Sequence, residues 1–498
     1  MADLRWLISD NPMLWRFFRS KLRRRQLIPG ILTMVTLGVA AAWAGREFNW
    51  ISGGQSINML IGLQAVLLLF IGSTQIGQQA GKARTSGMLD FHRISPLPPL
   101  NLALGFLLGA PILQYVLAGV ILPFAIFCAY GSPIGVSGYL LILIPLLLGV
   151  WIANAMTLLN TLIGKAGGGA ARSIIVAVFL FYAVGGGIGG LVGFRSNFFA
   201  GELPKLQFFG VPLPALVLIM GYQIAILCFF LVGTVRKMIS DRTHAYSKSQ
   251  AIGFLSLLGV LGLGGCWTLV GFDYLALIVL YAMIIAAIIL LITITPDLAG
   301  YLKGLEFAER HGRRRPTWRS DAGLNRMSVG IMGVIVLVVS TVAWNQIESR
   351  TVIRDTTAYS LTIAIGVFVV AYFGLGLQWF LLVSRKGGTT MFALFLMVVW
   401  IGPIVTGSIM AALGVERWIM LPTLAISPWP GLALSAHINR TDLDSYEACR
   451  IATLIPAMFF AFGFNNLISI TRRKVEHRRD LLLEKDVKPK ATEPEIVG

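Results

Sequence analysis

Between Leu27 and Thr471 the chain is a succession of apolar runs, each about 20 residues or longer, the length that crosses a bilayer. None of them carries Asp, Glu, Lys, Arg or His away from its ends. A core helix of a soluble protein shows an apolar stripe and a polar face, and most of these runs show neither. In lipid every backbone N–H and C=O must be bonded within the protein, so the runs read as helices. Charged residues make up 13% of the chain, where a soluble domain carries about 25%. The length of 498 residues therefore counts spans and not soluble domains.

The pattern predicts an all-α polytopic membrane protein of about 12 transmembrane helices in two six-span halves. The first half covers residues 27–250, with spans near Leu27–Ala44, Ile57–Ile76, Leu102–Ala129, Gly138–Ile163, Ser173–Phe194 and Val211–Thr234. The second covers 251–471, with spans near Ala251–Val270, Tyr274–Thr295, Ser328–Trp344, Leu361–Ser384, Thr390–Leu413 and Cys449–Thr471. A formal charge of +18 suggests nucleic acid until its placement is read. With the N-terminus inside, alternate loops collect 33 of the 41 Lys and Arg on the inner side. That is the positive-inside bias, so the basic charge sets topology, attracts anionic lipid, and argues against a nucleic-acid partner. Both termini are then cytoplasmic, in a cell (inner) membrane.

The four cysteines, Cys128, Cys228, Cys266 and Cys449, lie in or beside apolar runs without CxxC spacing, so neither disulfides nor a metal site is expected. Ala42-Trp43-Ala44 has the form of a cleavage site, but the charged stretch before the first span is too long for a cleaved leader. Residues 1–26 form an amphipathic interface element. Asn11-Pro12 supplies a helix cap and first-turn proline. Leu14, Phe17, Phe18 and Leu22 then fall on one face, with Arg16, Arg19, Arg23 and Arg24 elsewhere and Trp15 suited to the interface. The inner loop 77–101 is polar and punctuated by Gly81, Gly87, Pro96, Pro98 and Pro99, with room for two helical turns between Leu89 and Ser95. Its counterpart, Pro296 to Arg326, holds the basic run Arg313-Arg314-Arg315. Residues 416–448 contain Pro422, Pro428 and Pro430. A full span there would put the eight cations of the tail outside, so this stretch reads as an outer re-entrant or interfacial element. Residues 472–498 read as a charged, partly disordered cytoplasmic tail.

The chemistry is thinner. Ion-driven carriers keep ionisable groups at mid-membrane, and this chain has none there. The histidines at 92, 244, 311, 437 and 477 are scattered through loops and tails, with no HExxH, carboxylate pair or nucleophile elbow. Gly81-Lys82 and Gly164-Lys165 lack the glycine and hydroxyl of a Walker A loop. No catalytic, metal-binding or cofactor-binding residue is assigned. A chain of this size without its own energy source is passive, externally driven, or structural.

Two segments carry a family resemblance. Asn11-Pro12-Met13-Leu14-Trp15-Arg16, with Phe18 in the basic stretch that follows, resembles the connecting helix that opens many ABC-2 type transporter permeases. Lys82-Ala83-Arg84-Thr85-Ser86-Gly87-Met88-Leu89-Asp90, continuing to Ser95-Pro96-Leu97-Pro98, is similar to their signature after the second span. Lys82 and Arg84 stand where the family has acidic residues, and Met88 where it has threonine. The close match covers about a fifth of the chain and topology the rest. The resemblance implies a permease subunit, an exporter and not an enzyme, driven by separate ABC ATPase subunits. Those subunits bind ATP and magnesium and dock on the loop containing Arg84, Gly87, Leu89, Asp90, Ser95, Pro96 and Pro98. Twelve spans suffice for one chain to supply both halves of a pathway, and a second permease copy stays open. Spans without charge suit a lipid-like cargo, though the family also moves glycans and peptides. The alternatives are a membrane scaffold or assembly factor, and a membrane-embedded transferase using Asp442, Asp444 and Glu447.

The charge bias predicts where the ends lie. Alkaline phosphatase fused after Gly498 is inactive and a green fluorescent protein at the same place is bright. An active phosphatase fusion would invert the topology.

Overall fold

A computed structural model of the chain describes residues 11–48, 54–94, 97–163, 205–240, 243–266, 275–313, 315–348, 356–384, 387–436 and 443–487. Ten helices among them are long and apolar enough to cross a membrane. The protein is an all-α polytopic membrane protein. The chain divides into two compact units, Met1–Tyr246 and Ser247–Gly498.

In the first unit, a short helix α1 (Pro12–Lys21) precedes α2 (Arg24–Glu47). Next comes α3 (Gln55–Thr85), which widens to π-helix over Val66–Gly72. The short α4 (Met88–Ile94) follows, then α5 (Pro99–Gly109), α6 (Ile112–Tyr130) and α7 (Gly135–Ile163). A hairpin of β1 (Lys205–Phe208) and β2 (Val211–Pro214) leads into α8 (Ala215–Ile239). The expected span Ser173–Phe194 lies outside the described residues.

Three elements differ from the sequence reading: α3 continues as helix past the expected span end at Ile76 to Thr85, into the stretch read as the loop 77–101. The third span is broken, because Pro111 offers no N–H to continue the helix and sits between α5 and α6 with φ −92° and ψ 20°. The sixth span begins at Ala215 and not at Val211. Phe209 and Gly210 both take positive φ, the requirement of a tight two-residue hairpin turn, and Lys205 pairs with Pro214 and Gln207 with Pro212. In such a hairpin the hydrogen-bonded pairs alternate, so both prolines fall where no ladder N–H is needed.

The interior of this unit holds polar groups that a search for ionisable residues passes over. Tyr139 donates to Gln64 Oε1 at 3.1 Å, Ser73 donates to Asn154 Oδ1 at 3.1 Å, and Asn154 donates to Tyr115 at 3.1 Å. Gln64 and Ser73 flank the π segment of α3. Their buried side chains are bonded, as a medium without water requires.

The second unit comprises α9 (Lys248–Cys266), α10 (Leu275–Ile294), α11 (Leu298–Arg310), α12 (Arg326–Glu348), α13 (Thr356–Val383) and α14 (Gly388–Ala412). The last has a π segment at Met397–Ile401. Then come α15 (Arg417–Ala425), α16 (Pro428–Ala436) and the long α17 (Leu443–Val487). The expected reach of the seventh span to Val270 lies outside the described residues. At nine residues each, α15 and α16 are too short to cross a bilayer. Thr453 of α17 donates to the Ala425 carbonyl at 2.6 Å, and Tyr281 of α10 to the Trp429 carbonyl at 2.6 Å.

The charged segment after Thr471 is helical as far as Val487, where the sequence reading expects partial disorder. It contains neither Gly nor Pro, and Glu476 follows Arg472 by four residues on the same face. Glu476 also accepts from Tyr301 at 2.9 Å and from Arg315 at 2.9 and 3.1 Å, while Arg479 pairs with Glu309. Residues 488–498 lie outside the described residues.

Lys248 opens α9 fully buried and donates to the Gly323 carbonyl. Burial brings its ammonium down to about 8, against the smaller opposing effect of the Asp321 carboxylate. A lysine held below its ordinary value costs stability while it is charged, and that cost is relieved as pH rises through about 8. Relative to Lys248→Met, the folded wild type therefore gains about 2 kcal/mol between about pH 7 and pH 9.5. Thermal unfolding of both proteins in detergent measures it, and parallel pH profiles would refute it.

Candidate functional site

The described residues of the two segments that carry the resemblance lie in the first unit, on α1, α4 and the ends of α3 and α5. Asn11 is the N-cap of α1: its Oδ1 accepts from the N–H groups of Met13 at 3.1 Å and Leu14 at 3.3 Å. The other end of the same amide donates to the Asn101 carbonyl at 2.7 Å. One buried side chain thus starts α1 and ties it to α5, while Pro12 takes the first turn, where a missing N–H costs nothing.

The packed face of α1 is Met13 and Phe17, one turn apart. This corrects the expected face: Leu14 and Leu22 are half-buried, and Phe18 is exposed beside Trp15 with ring centroids 5.6 Å apart. The reason lies in α5, where Gly105 and Gly109 leave two notches one turn apart. A Cβ on Gly105 would lie 2.6 Å from Met13 Cβ, and one on Gly109 would lie 2.7 Å from the Phe17 ring. Phe17 also meets Phe106 edge to face at 5.6 Å. A Gly-x-x-x-Gly spacing in an apolar helix is the available signal for such a seat.

The end of α3 forms the other side. After Thr85 the chain turns through Gly87, at φ +70°, into α4. Glycine occupies that left-handed conformation without the strain a Cβ would bring. Asp90 and Phe91 donate their N–H groups to the Gly87 carbonyl at 3.1 and 3.2 Å, so α4 starts at the turn itself. Leu89 points inward and is buried among Met13, Phe17, Ile76, Ala83, Phe106 and Met238. Arg84 donates to the Thr161 carbonyl at 3.2 Å. Arg16 of α1 reaches the Met88 sulfur at 2.7 Å, joining the start of α4 to the interface helix. Pro98 caps α5 in extended geometry. Ser95 and Pro96 lie outside the described residues.

The residue that the sequence reading misses is Arg93. Its guanidinium donates to the Lys237 carbonyl at 3.0 Å, the Met238 carbonyl at 3.3 Å and Asp90 Oδ1 at 2.6 Å. It thereby fastens α4 to the last turn of α8, whose carbonyls have no helical partner of their own. The contacts span some 144 residues of sequence, so no local pattern announces them. Outside this anchoring, Lys82, Thr85, Ser86, Gly87, Asp90 and Phe91 are exposed, and Phe91 is 70% exposed. A polar tip with an exposed aromatic ring can bind a protein surface.

For the transferase alternative, Asp442 and the Asp444 side chain lie outside the described residues, and Glu447 is exposed. No family model, no curated protein and no solved structure matches the chain.

Filling a notch tests the α1 seat. Gly109→Leu should destabilise the unit by about 1–3 kcal/mol through overpacking against Phe17. Phe18→Ala, on the exposed side, should change stability by less than about 0.5 kcal/mol. Unfolding midpoints in detergent compare the two; equal effects would mean that α1 is not seated on Gly105 and Gly109.

Proposed function

We propose that this chain is the membrane-spanning permease subunit of an ABC transporter, an exporter of the cell (inner) membrane. Its energy comes from a separate cytoplasmic ATPase carrying the Walker motifs, ATP and magnesium. The observation that carries this reading is the construction of α4. It exposes Phe91 and Asp90 to a partner while Leu89 and Arg93 fix it to the spans behind. A free loop would absorb a push, whereas a helix bonded on its inner side transmits it.

In this reading nucleotide binding closes the ATPase and displaces the tip from Thr85 to Phe91. Arg93 passes the displacement to the end of α8, and Leu89 passes it to α5 and α1 through the packed cluster they share. Because α4 joins α3 through the Gly87 turn, the π segment at Val66–Gly72 lies further along the same helix. Such segments often occur at functional positions in helices. Trp15 and Phe18 hold the other side of α1 at the membrane surface, where aromatic rings are favoured.

The test is affinity purification of the full chain in mild detergent. A stoichiometric ATPase should come with it, and Phe91→Asp should lower its recovery about tenfold, the loss of one interface contact. Arg93→Gln should leave recovery intact and lower the nucleotide-dependent change in protease sensitivity of α8. A chain recovered alone under every nucleotide condition would overturn the permease reading in favour of a scaffold or transferase.

A further inference from the structure

Among the described residues, the cations around α1 outnumber the acids. The described residues of the first unit contain two carboxylates, Glu47 and Asp90. Asp90 is held by Arg93. Glu47 ends α2, whose 24 residues place it roughly 35 Å from Arg24. Arg19, Lys21, Arg23, Arg24, Arg25 and Lys82 meanwhile gather where α1 ends, α2 begins and α3 runs out.

Within this group Lys21 and Lys82 form a defined pair. Lys21 Nζ donates to Gln75 Oε1 on α3 at 2.9 Å, which fixes the ammonium against that helix. Lys82 lies two turns further along the same face of α3. Burial, and then the positive charge of Lys82, hold the Lys21 ammonium below its ordinary range. Basic residues in a last turn also complement the helix dipole, but that effect is weak. From Lys21 the chain runs through Arg23, Arg24 and Arg25 into α2, whose exposed side carries Ile28, Leu32, Val39 and Trp43. A charged head and an apolar track thus follow each other in the chain.

We infer that Lys21, held by Gln75, and Lys82 on the same face of α3 form a binding site for the phosphate of an anionic phospholipid, whose acyl chains run along the Ile28–Leu32 side of α2. The lipid phosphate relieves the repulsion between the two ammonium groups, and Gln75 keeps Lys21 positioned when the site is empty. An acidic protein surface would match the cations but leave the apolar track without an occupant. The inference is independent of the permease reading, since it concerns only how the first unit meets its membrane.

The experiment uses the full chain purified in mild detergent, loaded with phosphatidylglycerol or with phosphatidylcholine, and examined by native mass spectrometry. The wild type should retain phosphatidylglycerol preferentially, and K21Q/K82Q should lower that retention about 30-fold. K21R/K82R should preserve it, which separates loss of charge from loss of fold. Removing two tail cations by R473Q/K474Q should leave it unchanged. Equal retention by K21Q/K82Q and wild type would overturn the site. Thermal stabilisation of lipid-free wild type by inorganic phosphate, without selective retention of phosphatidylglycerol, would also overturn it and assign a soluble anion. Unchanged lipid retention with reduced recovery of a co-purifying protein would assign the lysines to that partner instead.

Discussion

Absence of water along the spans governs this protein, because a group that cannot be hydrated must be bonded internally or placed at an end. Along the spans backbone bonds close within helices, and Gln64 pairs with Tyr139 and Asn154 with Ser73 and Tyr115. Ionisable groups are displaced to the ends. The capacity to respond to another molecule is therefore concentrated in short segments such as α1, α4 and α11, where charge and exposure are affordable.

At one such end the structure solves a mechanical problem. A surface helix of ten residues has little stability of its own. It gains order from the Asn11 cap, the tether to Asn101, and the seating of Met13 and Phe17 in the notches of α5. The seven-residue α4 is still shorter, and it is held by Leu89 in the same cluster and by Arg93 on the carbonyls of α8. Both helices thus rest on one packed cluster and are linked again by Arg16 and Met88. In the permease reading, that shared support makes a tip contact felt beyond the tip.

Features set by local chemistry were legible in the sequence. Charge-free runs of bilayer length announce helices, Asn11-Pro12 announces a cap, and Gly87 announces a turn with positive φ. Features set by partners distant in the chain were not. Leu14, Phe17 and Phe18 all satisfy the periodicity of an apolar face, and only the position of Gly105 and Gly109 selects Met13 and Phe17. Arg93 looks like any loop cation until α8 ends beside it. The break at Pro111 and the hairpin before α8 were hidden by the apolar character of residues that form neither a single span nor its start. The helical course of the tail to Val487 was masked by its charge, which marks exposure and not disorder once Glu476 and Arg479 find partners.

In the permease reading, α1 and α4 respond together to a nucleotide-driven partner. Hydrogen–deuterium exchange of the protein in native membranes, with and without magnesium-ATP, tests it most directly. Amides of Pro12–Lys21 and Met88–Ile94 should change their exchange in concert when nucleotide is added, while those of α15 and α16 should not. Exchange in α4 that ignores nucleotide, or changes there without any change in α1, would contradict it.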